Sequence, residues 1–274
     1  MVKGRRPREI VNRIGFVLLV AAGFAVILVP LLLVLWLSFV SDVILSIPPQ
    51  GYSLRWYGQM FREPQFANGF ATSAIVALSA TALGLLLTIP ASFVLARSRF
   101  RGRDAILQLL MSPLIVPAIV IGSALYMMFV ELEIRSGMPL VGSIWGLAIG
   151  HILLTIPWSV RLITANLVGV NVSIEEAALS LGATPLVVAT KVTLPIIWPG
   201  VIAAALFSFV ISFGNLEVSL FLVSAGETTL PIAVLQYLQW KIDPTVAAVS
   251  VVQILIVGAG LLITSRFVSL ARAI

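Results

Sequence analysis

The sequence predicts an all-α, polytopic membrane protein with six transmembrane helices, and three observations predict it. Of its 274 residues 60% are hydrophobic and 10% charged, against roughly 45–50% and about 25% in soluble domains, and the mean hydropathy is +1.12. Six stretches lack Asp, Glu, Lys and Arg and are long enough to cross about 30 Å of hydrocarbon, which takes roughly 20 helical residues. None of them shows the period-2 alternation of a barrel strand, and only helices and closed barrels satisfy every backbone group in lipid.

The first stretch is Ile14 to Ser41, behind a basic tail over residues 1–13. Its apolar run far exceeds the ~7–15 residues of a secretory signal core, so an uncleaved first helix is expected. Asp42 to Glu63 follows, with Pro48, Pro49 and Gly51 and then an amphipathic piece through Trp56, Tyr57 and Phe61 that suits the membrane interface. The second span is Pro64 to Ala96, the third Ala105 to Val130 and the fourth Ser136 to Val160. Pro113, Pro117 and Pro157 loosen the helices they occupy, as hinges or as packed kinks. The fifth span is Val192 to Leu216. In the outer segment Ser224 to Lys241, residues Leu230, Val234, Leu235 and Leu238 share one helical face. The sixth span, Pro244 to Ser265, has Asp243 and Pro244 as a cap and first-turn pair. Residues 14–266 form one membrane domain, residues 267–274 a short tail, and no internal repeat, low-complexity tract or soluble domain is visible.

Lys and Arg are retained on the cytoplasmic side of a bilayer. With the N-terminus inside, 13 of the 17 basic residues fall inside: Lys3, Arg5, Arg6, Arg8, Arg13, Arg97, Arg99, Arg101, Arg103, Arg161, Lys191, Arg266 and Arg272. Arg55, Arg62, Arg135 and Lys241 fall outside. Both termini are therefore expected in the cytoplasm. The net charge of +6 is the same bias and points to lipid rather than nucleic acid.

Enzyme chemistry finds little to work with. The chain has no cysteine and a single histidine, His151, in mid-span, and a lone imidazole makes no metal site by itself. A hydrogen bond inside the bundle or a place on a pathway are the roles open to it. There is no GxSxG elbow, no GxxxxGK[ST] phosphate loop and no Gly-Lys pair, so the chain is not expected to hydrolyse ATP alone. No catalytic residue and no metal ligand is assigned.

One polar passage interrupts the apolar runs: EEAALSLGATPLVVATKVTLP, Glu175 to Pro195. Ser173 and Glu176 fit the S-x-x-E capping box, Gly182 can end that helix in the left-handed conformation, and Thr184 with Pro185 starts a second helix. The expected unit over residues 172–195 is a helical hairpin running into the fifth span. Its exposed face is expected to mix Glu175 and Glu176 with the small Ala177 and Ala178. Local physics leaves open whether it is a well-capped loop or a docking surface.

The spacing Glu176-Ala177-Ala178, then Gly182, then Val192-Thr193-Leu194-Pro195 resembles the EAA signature, EAA-x3-G-x9-I-x-L-P, of membrane subunits of bacterial ATP-binding-cassette importers, with Val192 for isoleucine. The segments SLRWYGQMF, LARSRFRGRD, MSPLIVPAIVIGSAL and TTLPIAVLQYLQWKIDPTVAAVSVVQI extend the likeness from about Tyr52 to Arg266, and look like the second permease of spermidine/putrescine-type importers. The resemblance implies the ABC importer permease fold in the bacterial inner membrane. It implies that the hairpin, through Glu175, Glu176, Ala177, Ala178 and Gly182, docks a separate ATPase. The implied partners are a different second permease, two ATP-binding subunits that hold ATP and Mg, and a periplasmic or lipid-anchored solute-binding protein. No cofactor is implied in this chain.

A route between two permeases must be lined by groups too polar for lipid. In FSFVISFGNLEVSLFLV the candidates are Asn215, Glu217 and Ser219, expected along one broad sector of a helix; packing within the bundle is the other role open to Glu217. Polyamine-type relatives often carry acids just after the Ser-Phe pair, where this chain has Gly214 and Asn215 and the acid reappears only at Glu217, so an amino acid-like or zwitterionic solute stays open beside a polycation. The spans alone would also suit an ion-coupled secondary transporter, or a membrane subunit that docks an ATPase and moves nothing.

Overall fold

The computed structural model describes residues 7–44, 46–224 and 227–271. In chain order the helices are α1 (Pro7–Leu37), α2 (Arg55–Arg62), α3 (Pro64–Arg97), α4 (Arg103–Met111), α5 (Ala118–Ser136), α6 (Ile144–Val168), α7 (Val172–Ser180), α8 (Pro185–Val188), α9 (Leu194–Phe213), α10 (Ser219–Leu222), α11 (Leu230–Trp240) and α12 (Thr245–Ala271). A 3-10 turn over Ser112–Leu114 follows α4, and a π turn over Ala189–Thr193 joins α8 to α9. Among the described residues five segments are long and apolar enough to span a membrane, and α4 with α5 makes a sixth as a pair bent by 100°.

The predicted third span is thus two helices, not one. Pro113 sits in the 3-10 turn, and Pro117, extended at φ −54°, ψ 133°, carries no N–H to continue the ladder and pushes its predecessor out of the α region. The fourth span is also displaced. Gly137 (φ 72°) ends α5 and Gly142 (φ 73°) shapes the linker, so α6 starts only where the Ser143 hydroxyl accepts the Gly146 N–H at 3.0 Å. α6 then runs past Val160 through Arg161 to Val168. The first span stops at Leu37 rather than Ser41, and the fifth ends at Phe213 rather than Leu216. The basic tail overlaps α1, which starts at Pro7, while the predicted tail residues Lys3, Arg5, Arg6 and Arg272 lie outside the described residues.

The chain divides into two compact units. The first comprises Met1–Arg62 and Trp240–Ile254. Here α1 exposes apolar side chains around its circumference, with Leu19 73% and Val26 75% accessible, the pattern of a helix whose solvent is lipid or another apolar surface. The segment after it is tied down by polar contacts. Ser38 Oγ pairs with Tyr57 Oη at 2.8 Å, Trp56 Nε1 donates to Val40 O at 2.6 Å, and Arg55 stacks over the Trp56 ring at 4.2 Å. α2 is helical as the aromatic pattern predicts, with Trp56 buried and Phe61 exposed. The Asp42 carboxylate accepts from Ser46 Oγ and from the Gln50 N–H; these bonds, Ser46 first, hold its pKa below the usual carboxylate value. Asp243 caps α12 as expected, accepting the Thr245 N–H at 2.9 Å.

The second unit, Glu63–Gln239 with Leu255–Ile274, is built on α3, α6 and α9. Helices in lipid gain little from burying more apolar surface, so they associate through small residues and hydrogen bonds. α3 buries a ridge of Gly69, Ser73, Ala77, Ala80, Gly84, Thr88 and Ser92. α6 and α9 are linked by Ser159 Oγ and Ser208 Oγ at 2.8 Å. A Cβ on Gly200 would lie 2.3 Å from the side-chain amide carbon of Asn166, so the Asn166 side chain of α6 packs directly on the α9 backbone at this glycine. One apolar cluster joins Val76, Ile121, Phe129, Leu147, Leu154, Val218 and Leu222; a second joins Ile163, Leu167, Ile197, Val201 and Ala204. α11 packs by Leu230, Ala233 and Tyr237, while Leu235 and Leu238 of the predicted apolar face remain exposed. The Leu230 N–H is taken by Ser73 Oγ at 2.8 Å.

Candidate functional site: a docking hairpin and a broken helix

The polar passage folds as the expected helix, tight turn and helix, with two corrections. The cap of α7 is Asn171, whose side chain accepts the Ser173 N–H at 3.1 Å; Ser173 and Glu176 do not form the capping box, because the cap falls two residues before Ser173 and the helix begins at Val172. Asn is as good an acceptor as Ser at this position and sits closer to the turn that precedes it. The second correction concerns the exposed face. Glu175 turns inward, its side chain 13% accessible. It accepts from Arg97 Nη2 at 3.0 Å and Thr193 Oγ1 at 2.8 Å, and its other oxygen lies 2.8 Å from Arg97 Nε. Glu176 and Ala177 are exposed and Ala178 half-buried. The Glu176 carboxylate has no partner among the described residues.

The turn follows the sequence closely. Gly182 is left-handed at φ 88°; its N–H bonds Leu179 O at 2.9 Å, and the Ala183 N–H bonds Ala178 O at 3.1 Å, which together make a Schellman motif. No atom lies within 4 Å of a Cβ built there, so the position is restricted by conformation, not by space. Thr184 Oγ1 accepts the Val187 N–H at 3.4 Å, with Pro185 in the first turn. The sequence reading missed the tip: Leu181 and Leu186 are 90% and 74% accessible. Two leucines flanking the turn residues Gly-Ala-Thr-Pro were the available signal that apolar side chains would stand at the tip.

The second candidate region differs more from expectation. Asn215, Glu217 and Ser219 are not successive positions on one helix, because α9 ends at Phe213 and a short α10 begins at Ser219. Glycine at 214 and an asparagine that competes for backbone bonds account for the break. Asn215 Oδ1 accepts the Val218 N–H at 3.0 Å, and Asn215 Nδ2 donates to Glu217 Oε2 at 3.1 Å. Glu217 is exposed, Asn215 half-buried and Ser219 fully buried.

His151, 1% accessible, holds both sides of the break. Nδ1 pairs with Ser212 Oγ at 2.7 Å and Nε2 with Ser219 Oγ at 3.1 Å. Ser219 Oγ donates its own proton to Asn215 O at 2.9 Å, so it accepts from Nε2–H, and Nδ1 is left to accept from Ser212. Of the two roles open to this histidine, the hydrogen bond inside the bundle is the one observed. α10 is pressed against its neighbours at two glycines: a Cβ on Gly122 would stand 2.9 Å from the Phe221 ring, and one on Gly150 2.7 Å from Leu222.

Helices that cross the membrane, packed through small residues and carrying a capped helical hairpin before the fifth apolar helix, define the membrane permease of an ATP-binding-cassette importer. The chain belongs to the family of binding-protein-dependent transport system inner membrane components, whose model matches residues 88–271. It is 32% identical over 244 residues to the putrescine transport system permease protein PotI of Escherichia coli (strain K12), covering 89% of this chain and 85% of that one. It is 26% identical to the spermidine/putrescine transport system permease protein PotC of Haemophilus influenzae, covering 90% and 93%. Among solved structures it is similar to a chain of a bacterial ABC transporter involved in import of the acidic polysaccharide alginate, with a TM-score of 0.74 at 17% identity over 97% and 99% of the two chains. It is also similar to a chain of the MetNI methionine ABC transporter, with a TM-score of 0.62 at 20% identity over 76% and 97%. The chain is therefore a multi-pass inner-membrane permease subunit of an importer, and not its ATP-hydrolysing enzyme.

Proposed function

We propose that this permease forms, with a second and different permease, the route for a small polyamine or related amino-bearing solute. The observation that carries the solute class is the likeness to PotI and PotC over about nine-tenths of the chain. Glu217 supports it. An exposed carboxylate at a helix break, oriented by Asn215, offers an acceptor for an ammonium group without being buried unpaired in lipid. Both termini lie in the cytoplasm, consistent with the distribution of Lys and Arg. The hairpin then faces inward, where Glu176, Ala177, Ala178 and Gly182 dock one of two ATPases holding ATP and Mg, and a periplasmic or lipid-anchored binding protein delivers solute on the other face.

The test is reconstitution with the products of the neighbouring genes in proteoliposomes. ATP-dependent uptake of labelled putrescine or spermidine, lost when the second permease is omitted, is the expected result. Uptake supported by this chain alone with ATPase and binding protein would overturn the heterodimer. Uptake of an amino acid or opine but of neither polyamine would overturn the solute class, a result that Gly214 and Asn215, standing where many polyamine-type relatives carry acids, make worth measuring.

A further inference from the structure

We propose that Arg97, Glu175 and Thr193 form a latch that ties the docking hairpin to α3, so that movement of the hairpin is delivered to α3 as well as to α9. The proposal rests on the docking reading of the hairpin. Through α8 and the π turn the hairpin is covalently continuous with α9, but nothing in the chain order joins it to α3. Glu175 makes that join from the first turn of α7, reaching the last residue of α3.

The geometry of the join is specific. Arg97 donates two guanidinium N–H groups to one carboxylate oxygen, Nη2 to Oε1 at 3.0 Å and Nε to Oε1 at 3.2 Å, with Oε2 2.8 Å from Nε, so two charge-assisted bonds fix the planar guanidinium against the carboxylate. The two side chains are only 22% and 13% accessible, so water screens the pair less than it screens a surface ion pair. Thr193 adds a hydroxyl at 2.8 Å to the same Oε1. That threonine is 1% accessible and ends the π turn, a local widening of the helix that often marks functional positions. One carboxylate thus gathers α3, α7 and the entry to α9.

Packing between α3 and the hairpin is otherwise incomplete. A groove of about 280 Å³ runs beside the latch, with Phe93 and Val94 of α3 on one wall and Leu179, Pro185 and Val188 of the hairpin on the other. The polar contact therefore bridges a gap in the apolar packing. α3 is positioned to carry a displacement across the unit. From Arg97 to Gly69, whose Cβ would lie 3.0 Å from Leu230 Cα, an α-helix extends about 40 Å at 1.5 Å per residue.

The experiment uses the reconstituted importer and reads three quantities: ATPase retained on the purified complex, solute-stimulated ATP hydrolysis, and solute imported per ATP hydrolysed. Arg97→Gln and Glu175→Gln are expected to keep the ATPase bound and hydrolysis within about twofold, while import per ATP falls about tenfold. The double exchange Arg97→Glu with Glu175→Arg is expected to recover most of that loss. An unchanged import-to-hydrolysis ratio in both single variants overturns the latch. So does loss of the ATPase from both, which would make the pair a support for hairpin folding. Glu176→Lys and Gly182→Val serve as the separate controls: if both variants retain the ATPase and transport normally, the docking reading fails, whatever the latch variants do.

Discussion

Asn215 and Glu217 are joined side chain to side chain across 3.1 Å, in a break between helices rather than along the face of one. The bond orients an exposed carboxylate, and the same asparagine accepts the Val218 N–H in the turn that leads into the short helix. Glu217→Gln keeps the size and the hydrogen-bonding capacity and removes the charge. It is expected to leave assembly intact and slow uptake of a cationic solute about tenfold, since an ammonium held by an ionised acceptor gains about 1.5–3 kcal/mol. Solute affinity of the separate binding protein should not change. Normal uptake kinetics in an assembled Glu217→Gln complex would assign the carboxylate a packing role.

Docking is tested at the exposed residues of the polar passage. Glu176→Lys reverses an exposed charge without removing any hydrogen bond of its side chain among the described residues. It is expected to weaken ATPase retention at least tenfold while membrane insertion stays normal. Gly182→Val should act differently, through the backbone. Its left-handed turn costs a non-glycine residue about 1–2 kcal/mol, more for a β-branched one, and Gly182→Asn should restore most of the loss. Near-normal uptake and ATPase co-purification in both Glu176→Lys and Gly182→Val would remove the hairpin's assignment.

Two substitutions separate the cap that the sequence suggested from the one observed. Asn171→Ala removes the acceptor for the Ser173 N–H and is expected to destabilise the hairpin by about 1 kcal/mol. Ser173→Ala should be nearly silent. Hydrogen exchange at the first-turn amides of α7 reads both, and faster exchange in the serine variant alone would restore the capping box.

What was legible in the sequence followed from local physics. The apolar runs located the membrane helices, and Gly182 with Thr184 and Pro185 set the turn and second cap of the hairpin, because a left-handed glycine and a proline first turn depend on few neighbours. The failures share a cause in tertiary context. A charge-free run cannot show that Pro117 turns the chain through 100°, nor that the fourth helix waits for Ser143. Spacing alone put Glu175 beside Glu176 on one exposed face, while the arginine that draws it inward lies 78 residues earlier. The Asn215 to Ser219 segment read as helix because apolar neighbours masked a Gly-Asn break.

His151 bridges the break that Gly214 and Asn215 open. Its ring spans from Ser212, in the last turn of α9, to Ser219, the first residue of α10, and it is buried with no described alternative partner for either nitrogen. His151→Ala would leave two buried hydroxyls short of a partner and open a cavity. A loss of about 2–4 kcal/mol is expected from the two effects together, read as a lower thermal midpoint of the detergent-purified complex. His151→Phe fills the volume but leaves Ser212 without its acceptor and Ser219 without the donor it receives, so it should lower the midpoint by less than alanine yet still loosen the 214–218 segment. His151→Gln retains a donor and an acceptor and should recover part of the stability. If the ring's bonds position Glu217, uptake should follow the same order, with glutamine above phenylalanine and phenylalanine above alanine. Equal stability and equal uptake in all three variants would show that glycine packing at Gly122 and Gly150 holds α10 without the histidine.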